Sequence, residues 1–388
     1  MLVVVCGLEP RLCSPICCHQ AEESDKRSSY PVIAKLQQSL IMNDPQFSPS
    51  DQLSSKRSDD LVSTIIPVFN RPDLLTQAVD SVLGQKHRPI EIIIIDDGST
   101  DNTPEVCAAL CKQHPDLIRV VRQENAGPGR ARQRGLEMAK GAFVQFLDSD
   151  DLLLPEKFSL QVQALKKHGD ASIAYGKSYE ENHIDDPPRC TGPMRATGIA
   201  QTSLFPRLLH ERWWTTSSPL YRKRLLDQIG PIQDWINEED WEYDARAAAA
   251  GAILIFVERI VSVRRLLQAG DHLSAEGSSD PTKLKHRALA RQSIFRCAQQ
   301  CGLLPGDPDM IRFSRSAFLL SRQCAEAGVE EAAAALQTLA REAMGAHNTP
   351  LDLRLYGWMG QRLGFARSSR WSNRLRRLLV FRRSMRGL

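Results

Sequence analysis

No apolar run in this 388-residue chain approaches the length that crosses a bilayer. The opening Met1-Leu-Val-Val-Val-Cys6 is too short, and too soon broken by Pro10, to serve as a secretion signal. Excess charge is small as well: 50 basic against 46 acidic side chains leave a net charge of +4, too little to imply a nucleic-acid partner. The ten cysteines fall into no zinc-ligating pattern. Cys107/Cys111 and Cys297/Cys301 lie four apart, which is helical spacing, and without a secretion signal the cysteines read as reduced thiols. Internal repeats are absent. What remains is a chain of ordinary apolar and charged content, long enough for one large domain or two modest ones with a real core.

From Ser50 to Asp60 the only apolar residue is Leu53, and residues 1–59 are expected to form a disordered leader. Order begins at Leu61. The short apolar runs Leu61–Pro67, Ile90–Ile95 and Ala142–Leu147 suit buried parallel strands. Between them lie helical stretches, the first opened by Asn70-Arg71-Pro72-Asp73 and carrying Leu75, Ala78, Val79, Val82 and Leu83 on one face. This alternation predicts an α/β fold with a doubly wound, mostly parallel sheet flanked by helices. Ligands of such sheets bind at the carboxyl ends of the strands, which sets Asn70, Asp97, Asn125 and Asp150 on one rim. Ala252–Val257 reads as a later strand, and 281–345 as a helical extension.

The strand ending in Asp148-Ser-Asp-Asp151 is the most informative stretch. In extended chain Asp148 and Asp150 share a face, and two carboxylates held together call for something positive between them. A divalent cation carrying substrate phosphates is one answer. The other is a solvated loop in which Asp151 or a neighbour caps the helix begun by Pro155.

Five pieces together resemble the inverting glycosyltransferases of family 2, with the nucleotide-diphospho-sugar fold called GT-A. They are Ile65-Ile-Pro-Val-Phe-Asn-Arg71, Ile94-Ile-Asp-Asp-Gly-Ser-Thr-Asp101, Asn125-Ala-Gly with Ala131-Arg132, Phe146-Leu-Asp-Ser-Asp-Asp151, and Tyr221-Arg-Lys through Ile229-Gly with Glu239-Asp240-Trp241. Any one is weak, but the ordered set over Leu61 to Leu273 is specific. It implies a glycosyltransferase domain over 60–275 that moves a hexosyl or related sugar from a nucleoside-diphosphate-sugar, such as a UDP-sugar, to an acceptor hydroxyl.

The resemblance also implies roles. Asp97 would accept a hydrogen bond from the pyrimidine base of the donor, which suits a uracil or thymine imide facing a carboxylate, with Pro67 and Asn70 lining that pocket. Arg132 would face the nucleotide or diphosphate. Asp148 would lie near ribose and metal, and Asp150 would ligate the metal, Mn²⁺ or Mg²⁺. Asp240 would be the catalytic base, its proton affinity tuned by Glu238 and Glu239 and its water excluded by Trp241. Plainer readings exist for each: an Asp-Gly turn with Ser99 or Asp101 capping the next helix, a solvated Arg132, and an acidic helix N-terminus at 238–240.

There are departures from the family pattern. Gln133 stands where Asn is common after the third motif's arginine, and no Gln-x-x-Arg-Trp signature follows Asp240, which favours single addition over polymerisation. His272 is a candidate metal or phosphate contact, or a loop histidine. Trp213-Trp214 either stack a sugar or fill the core. Two rivals are a sugar nucleotidyltransferase, disfavoured because Pro67-Val-Phe-Asn-Arg-Pro is no Gly-rich phosphate loop, and a non-catalytic nucleotide-sugar-binding scaffold. From Arg354 to the last residue there are ten arginines and no acid, and Trp371, Leu375, Leu378 and Leu379 share one helical face. This pattern suits a packed terminal helix, a disordered basic tail or contact with an anionic membrane surface. The resemblance, which implies a sugar or lipid-linked sugar as acceptor in polysaccharide or glycolipid synthesis, favours the last for residues 346–388, with the enzyme cytoplasmic and peripheral on the inner face.

Overall fold

β1 (Val62–Val68) and β2 (Ile90–Asp96) are nearly continuous apolar runs, and both are buried along almost their whole length, as parallel strands covered on two faces must be. The computed structural model describes residues 59–369 without 186, 268–278 and 346–348. The expected leader (but for Asp59), His272 and the face formed by Trp371 to Leu379 lie outside the described residues.

α1 (Pro72–Leu83) starts on a proline, whose missing N–H costs a first turn nothing, and buries Leu75, Ala78, Val79 and Val82. It leads into β2, α2 (Thr103–Gln113) leads into β3 (Ile118–Arg122), and α3 (Pro128–Met138) leads into β4 (Phe143–Phe146). β1 pairs in parallel with both β2 and β4, and β2 with β3. The order β3-β2-β1-β4 reverses the direction of winding between β1 and β4, and in doubly wound sheets ligands bind beyond the carboxyl ends of strands at such a reversal.

Beyond β4 the sheet is mixed. β5 (Leu152–Leu153), α4 (Lys157–Lys167), β6 (Ile173–Asn182), β7 (Arg189–Thr191), β8 (Leu220–Arg222), α5 (Lys223–Ile229), α6 (Glu239–Ala249) and β9 (Leu254–Leu266) follow. β8 runs antiparallel to β4 and β6, while β9 runs parallel to β6. The expected Ala252–Val257 strand thus continues to Leu266. Glu258 and Arg259 break its apolar pattern, and the pairing shifts register between Gly176 and Ser178 to carry it past them.

Helices α7 (Pro281–Gln300), α8 (Pro308–Glu326), α9 (Glu330–Met344) and α10 (Leu351–Leu363) follow. One apolar cluster lies on the α1, α2 and α4 face of the sheet and includes Ile66, Leu75, Val79 and Phe158. The other runs without a break from Ile65, Phe146 and Tyr221 into Phe295, Phe313 and Leu336, so the helical extension and the sheet share one core. Trp213 and Trp214 are fully buried there, with Tyr175 5.1 and 5.6 Å from their ring centres, so they fill the core. The described cysteines are all free thiols. Among the described residues, no helix is long and apolar enough to cross a membrane.

Candidate active site

The loops that leave β1 and β2 are stitched together. Asn70 takes a left-handed backbone (φ +53°), which Asn tolerates better than most residues. Its amide N–H donates to Ser99 Oγ (3.0 Å), and its side-chain oxygen accepts from Thr100 N (2.8 Å). Asp96 closes the turn by accepting from Ser99 N, and Asp101 accepts from Thr103 N, but the residue at the cap of α2 is Asn102, with no side-chain cap bond, so neither Ser99 nor Asp101 is the helix cap. Asp97 does something more. Its buried carboxylate accepts from Gln123 Nε2, Ala126 N and Gly127 N at 2.8–2.9 Å, and so fixes the loop that enters α3. Gly98 is required beside it: its φ is +81°, and a Cβ there would come within 2.8 Å of Asn125 N. Pro67, opposite Ile95, is half-buried near the end of β1.

The acidic stretch does not continue as a strand. β4 ends at Phe146, and Asp151 N donates to Asp148 O (3.0 Å) in a turn, so the alternation expected of extended chain does not apply. The carboxylates diverge. Asp150 pairs with Arg71, Asp148 with Arg132 Nη2 (2.7 Å), and Asp151 accepts from Ser217 Oγ. Asp151 is no helix cap, since α4 begins at Lys157 behind Glu156 without a side-chain cap bond. Burial, with Asp150 and Asp148 adding repulsion, pushes the Asp151 carboxyl well above its ordinary value. Below this turn the buried Lys157 donates to Ser218 O (2.7 Å), and Gln161 donates to the same carbonyl (2.9 Å). These bonds steady the Thr215–Ser218 segment.

Asp148 and Asp150 are hard oxygen donors at the strand switch. Among the described residues no group of three or more His, Cys, Asp or Glu is arranged to hold a metal. A pair of carboxylates is nevertheless the donor set that a Mg²⁺-like ion uses when phosphate oxygens and water complete its shell. The chemistry of the pair suits a cation that arrives with a diphosphate, while each carboxylate is held by an arginine.

Asp240 lies in the first turn of α6, behind Glu238, which is left-handed (φ +59°). Asp240 Oδ2 pairs with Arg212 Nη1 (2.8 Å), and its Oδ1 accepts from Trp241 N (2.7 Å). Arg212 Nε also donates to Asp244 (2.8 Å), one helical turn on, whose carboxylate accepts further from Trp214 Nε1 and Tyr221 OH. Burial works against the charge on Asp240, but Arg212 and Arg132 outweigh it and hold the carboxyl below its ordinary value. The neighbours expected to raise it act otherwise. Glu238 turns away to Arg287 and Arg291 of α7 (3.0 and 3.3 Å), and Glu239 pairs with Arg132. It is Glu239 whose carboxyl rises, to about 7, through burial and the charge of Asp240, with Arg132 opposing.

Arg132 is accordingly buried, with one Nη on Asp148 and the other on Glu239. It is the bridge between the β4 turn and α6. Gln133 beside it accepts from Ile232 N (2.9 Å), anchoring the loop before α6. That loop crosses the start of α3 so closely that a Cβ at Gly129 would lie 2.1 Å from Gln233 O. Arg212 was not singled out in the sequence; Arg71 was named there only as part of a motif and a helix opening, and Glu239 only as part of a motif and as a neighbour tuning Asp240. Arg212 carries a faint mark, a cation set against two tryptophans, but its partners are 28 and 32 positions away.

The family model described as "Glycosyl transferase family 2" matches residues 63–229. An uncharacterized glycosyltransferase of Nostoc sp. is 31% identical over 242 residues, covering 58% of this chain and 71% of its own. The chain belongs to glycosyl transferase family 2. It is a glycosyltransferase, which sets aside the nucleotidyltransferase alternative. Other relatives match shorter parts: the uncharacterized glycosyltransferase YibD of Escherichia coli is 38% identical over 41% of this chain and 46% of its own. For glycosyltransferase GlyG of Streptococcus pneumoniae the figures are 35%, 32% and 42%. The chain thus spans less than half the length of these two relatives. Among solved structures, S. aureus TarS residues 1–349 in complex with UDP-GlcNAc superposes with a TM-score of 0.53 at 19% identity. That match covers 78% of this chain and 92% of that one. The fold is GT-A.

Proposed function

We propose that this glycosyltransferase moves a sugar from a nucleoside-diphosphate-sugar to an acceptor hydroxyl with inversion at the anomeric carbon, using Asp240 as the base. One observation supports the reading: the single buried side chain of Arg132 touches both Asp148 and Glu239, so the candidate metal turn and the first turn of the helix that carries the candidate base are held side by side. The TarS fragment of the same fold binds UDP-GlcNAc, which supports a nucleotide-sugar donor here.

In this reading the acceptor oxygen attacks the anomeric carbon, the bond from that carbon to the diphosphate oxygen breaks, and the hydroxyl proton passes to Asp240. Arg212 keeps Asp240 ionised and oriented at neutral pH. Asp97 spends three of a carboxylate's roughly four acceptor positions on the loop that enters α3, which leaves one for a base imide N–H beside Pro67 and Asn70. Arg132, with both Nη atoms engaged by protein carboxylates, acts as the strut that sets Asp148 against α6. A divalent cation, Mn²⁺ or Mg²⁺, held by Asp150 and Asp148 would supply Lewis-acid neutralisation of the leaving diphosphate. The transferase domain is assigned to 60–275 and its helical extension to 281–345. The setting we propose is cytoplasmic and peripheral to the membrane, in cell-surface polysaccharide or glycolipid synthesis.

A panel of nucleotide sugars tested by thermal protection, with and without Mn²⁺, identifies the donor. Calorimetry of nucleoside-diphosphate binding then tests the metal turn. Wild type is expected to bind more tightly with Mn²⁺, and Asp150→Ala to lose that response. An unchanged metal response in the variant removes Asp150 from the site.

A further inference from the structure

Helix α10 is held to the protein by one face only. Leu353 and Tyr356 are buried, and Gly357 and Gly360 allow close approach: a Cβ at 357 would come within 2.7 Å of Gln337 Nε2, and one at 360 within 2.2 Å of the Phe365 ring. Gln337 Nε2 donates to Leu353 O (2.7 Å), and the Glu330 carboxylate accepts from Phe365 N and Ala366 N (both 2.9 Å), tying down the chain that leaves the helix. Every one of these contacts is on the inner side.

The outer side is apolar too. Leu351, Leu355 and Trp358 lie at i, i+4 and i+7, one line along a helix, and are 72%, 58% and 59% exposed. Of the eleven exposed large hydrophobic side chains among the described residues, four fall in this thirteen-residue helix, counting Leu363. Such a concentration marks a contact surface rather than scattered surface residues. The exposed Arg354 and Arg362 flank the line. The helix's one acid, Asp352, is paired with Arg315 of α8 (3.0 Å).

We propose that α10 lies on an anionic lipid surface, with Leu351, Leu355 and Trp358 entering the boundary between headgroups and acyl chains and the arginines meeting headgroup phosphates. This rests on the peripheral-membrane reading and gives it a contact element. Charge selects the occupant. From Arg354 onward the chain carries ten arginines and no acid, so a second copy seated face to face would set arginine against arginine. A lipid sheet supplies a continuous negative surface instead, and Trp is suited to its interface.

Flotation of the full chain with phosphatidylcholine vesicles, and with vesicles that also contain phosphatidylglycerol, tests this at low and high salt. Wild type is expected to float with the anionic vesicles, less so at high salt. Leu355→Glu with Trp358→Glu should lower the bound fraction by at least about tenfold. Its melting temperature and its thermal protection by UDP should stay as in wild type, because neither side chain packs inward. Leu351→Glu with Leu355→Glu is a second pair with the same expectation, should the first disturb folding. If both pairs float like wild type while deletion of residues 366–388 abolishes binding, the peripheral-membrane reading stands and α10 is not the contact. If wild type floats with neither vesicle, that reading fails and this inference with it. Self-association in light scattering that the substitutions abolish would assign the face to a second copy and overturn the proposal.

Discussion

Asp240 and Glu239 are adjacent carboxylates with opposite surroundings. Arg212 and Arg132 hold Asp240 below its ordinary range, while burial and the neighbouring charge lift Glu239 to about 7. The lifted group binds its proton more tightly in the folded protein than in the unfolded chain. Its contribution to stability is therefore full below the ordinary glutamate range and is lost as pH rises through about 7. Glu239→Gln keeps an acceptor for Arg132 and removes this titration. Its melting temperature relative to wild type should climb between pH 5 and pH 8 in buffers of equal ionic strength, and a flat difference would show that Glu239 does not titrate there. The sequence placed Asp240 in an acidic cluster and so suggested a raised proton affinity. It could not show that Glu238 turns out of the cluster or that Arg212 turns in, because both facts depend on packing between distant segments. Asp97 was legible as a rim residue, but its three bonds to residues 123–127 were not.

Among the elements, those whose burial is written as apolar runs were legible. β1, β2 and the buried face of α1 follow from Leu61–Pro67, Ile90–Ile95 and Leu75–Val82, and helices were read over 281–345, but α10 beyond them was not. β9 was cut short because Glu258 and Arg259 sit at a register shift. The turn at 148–151 was read as strand because nothing local marks where β4 stops pairing. The least visible relation is that between α6 and α7. Arg287 and Arg291 clamp Glu238 in its left-handed conformation, the Arg291 guanidinium lies 3.9 Å over the Trp241 ring, and Ser293 donates to Glu242 (2.7 Å). Arg291→Ala removes the stacked cation and one partner of a largely buried carboxylate, and should cost about 2 kcal/mol or more. Thermal melts check the stability. Donor titration and turnover check the rest: nucleotide affinity should hold while turnover falls, since α7 braces α6 and not the loops of β1 and β2. Equal losses in both would assign α7 a general structural role.

At the scale of the molecule, one apolar cluster joins the sheet to α7, α8 and α9, and Arg132 joins the β4 turn to α6, the two walls of the proposed site. The order of the motifs along the chain was enough to indicate the GT-A sheet and its rim, because the strand-end rule depends only on topology. The acceptor, the transferred sugar and the outer face of α10 carry no such ordered mark. The central claim is that the two walls form one transferase site with Asp240 as the base. Asp240→Asn keeps shape while removing proton affinity, so the most direct test measures donor binding and single-turnover transfer in that variant, with the donor found by the nucleotide-sugar panel. Donor affinity is expected to stay as in wild type while turnover drops by about 10²-fold or more. Lost donor binding with turnover largely intact would contradict the claim and return Asp240 to a structural role.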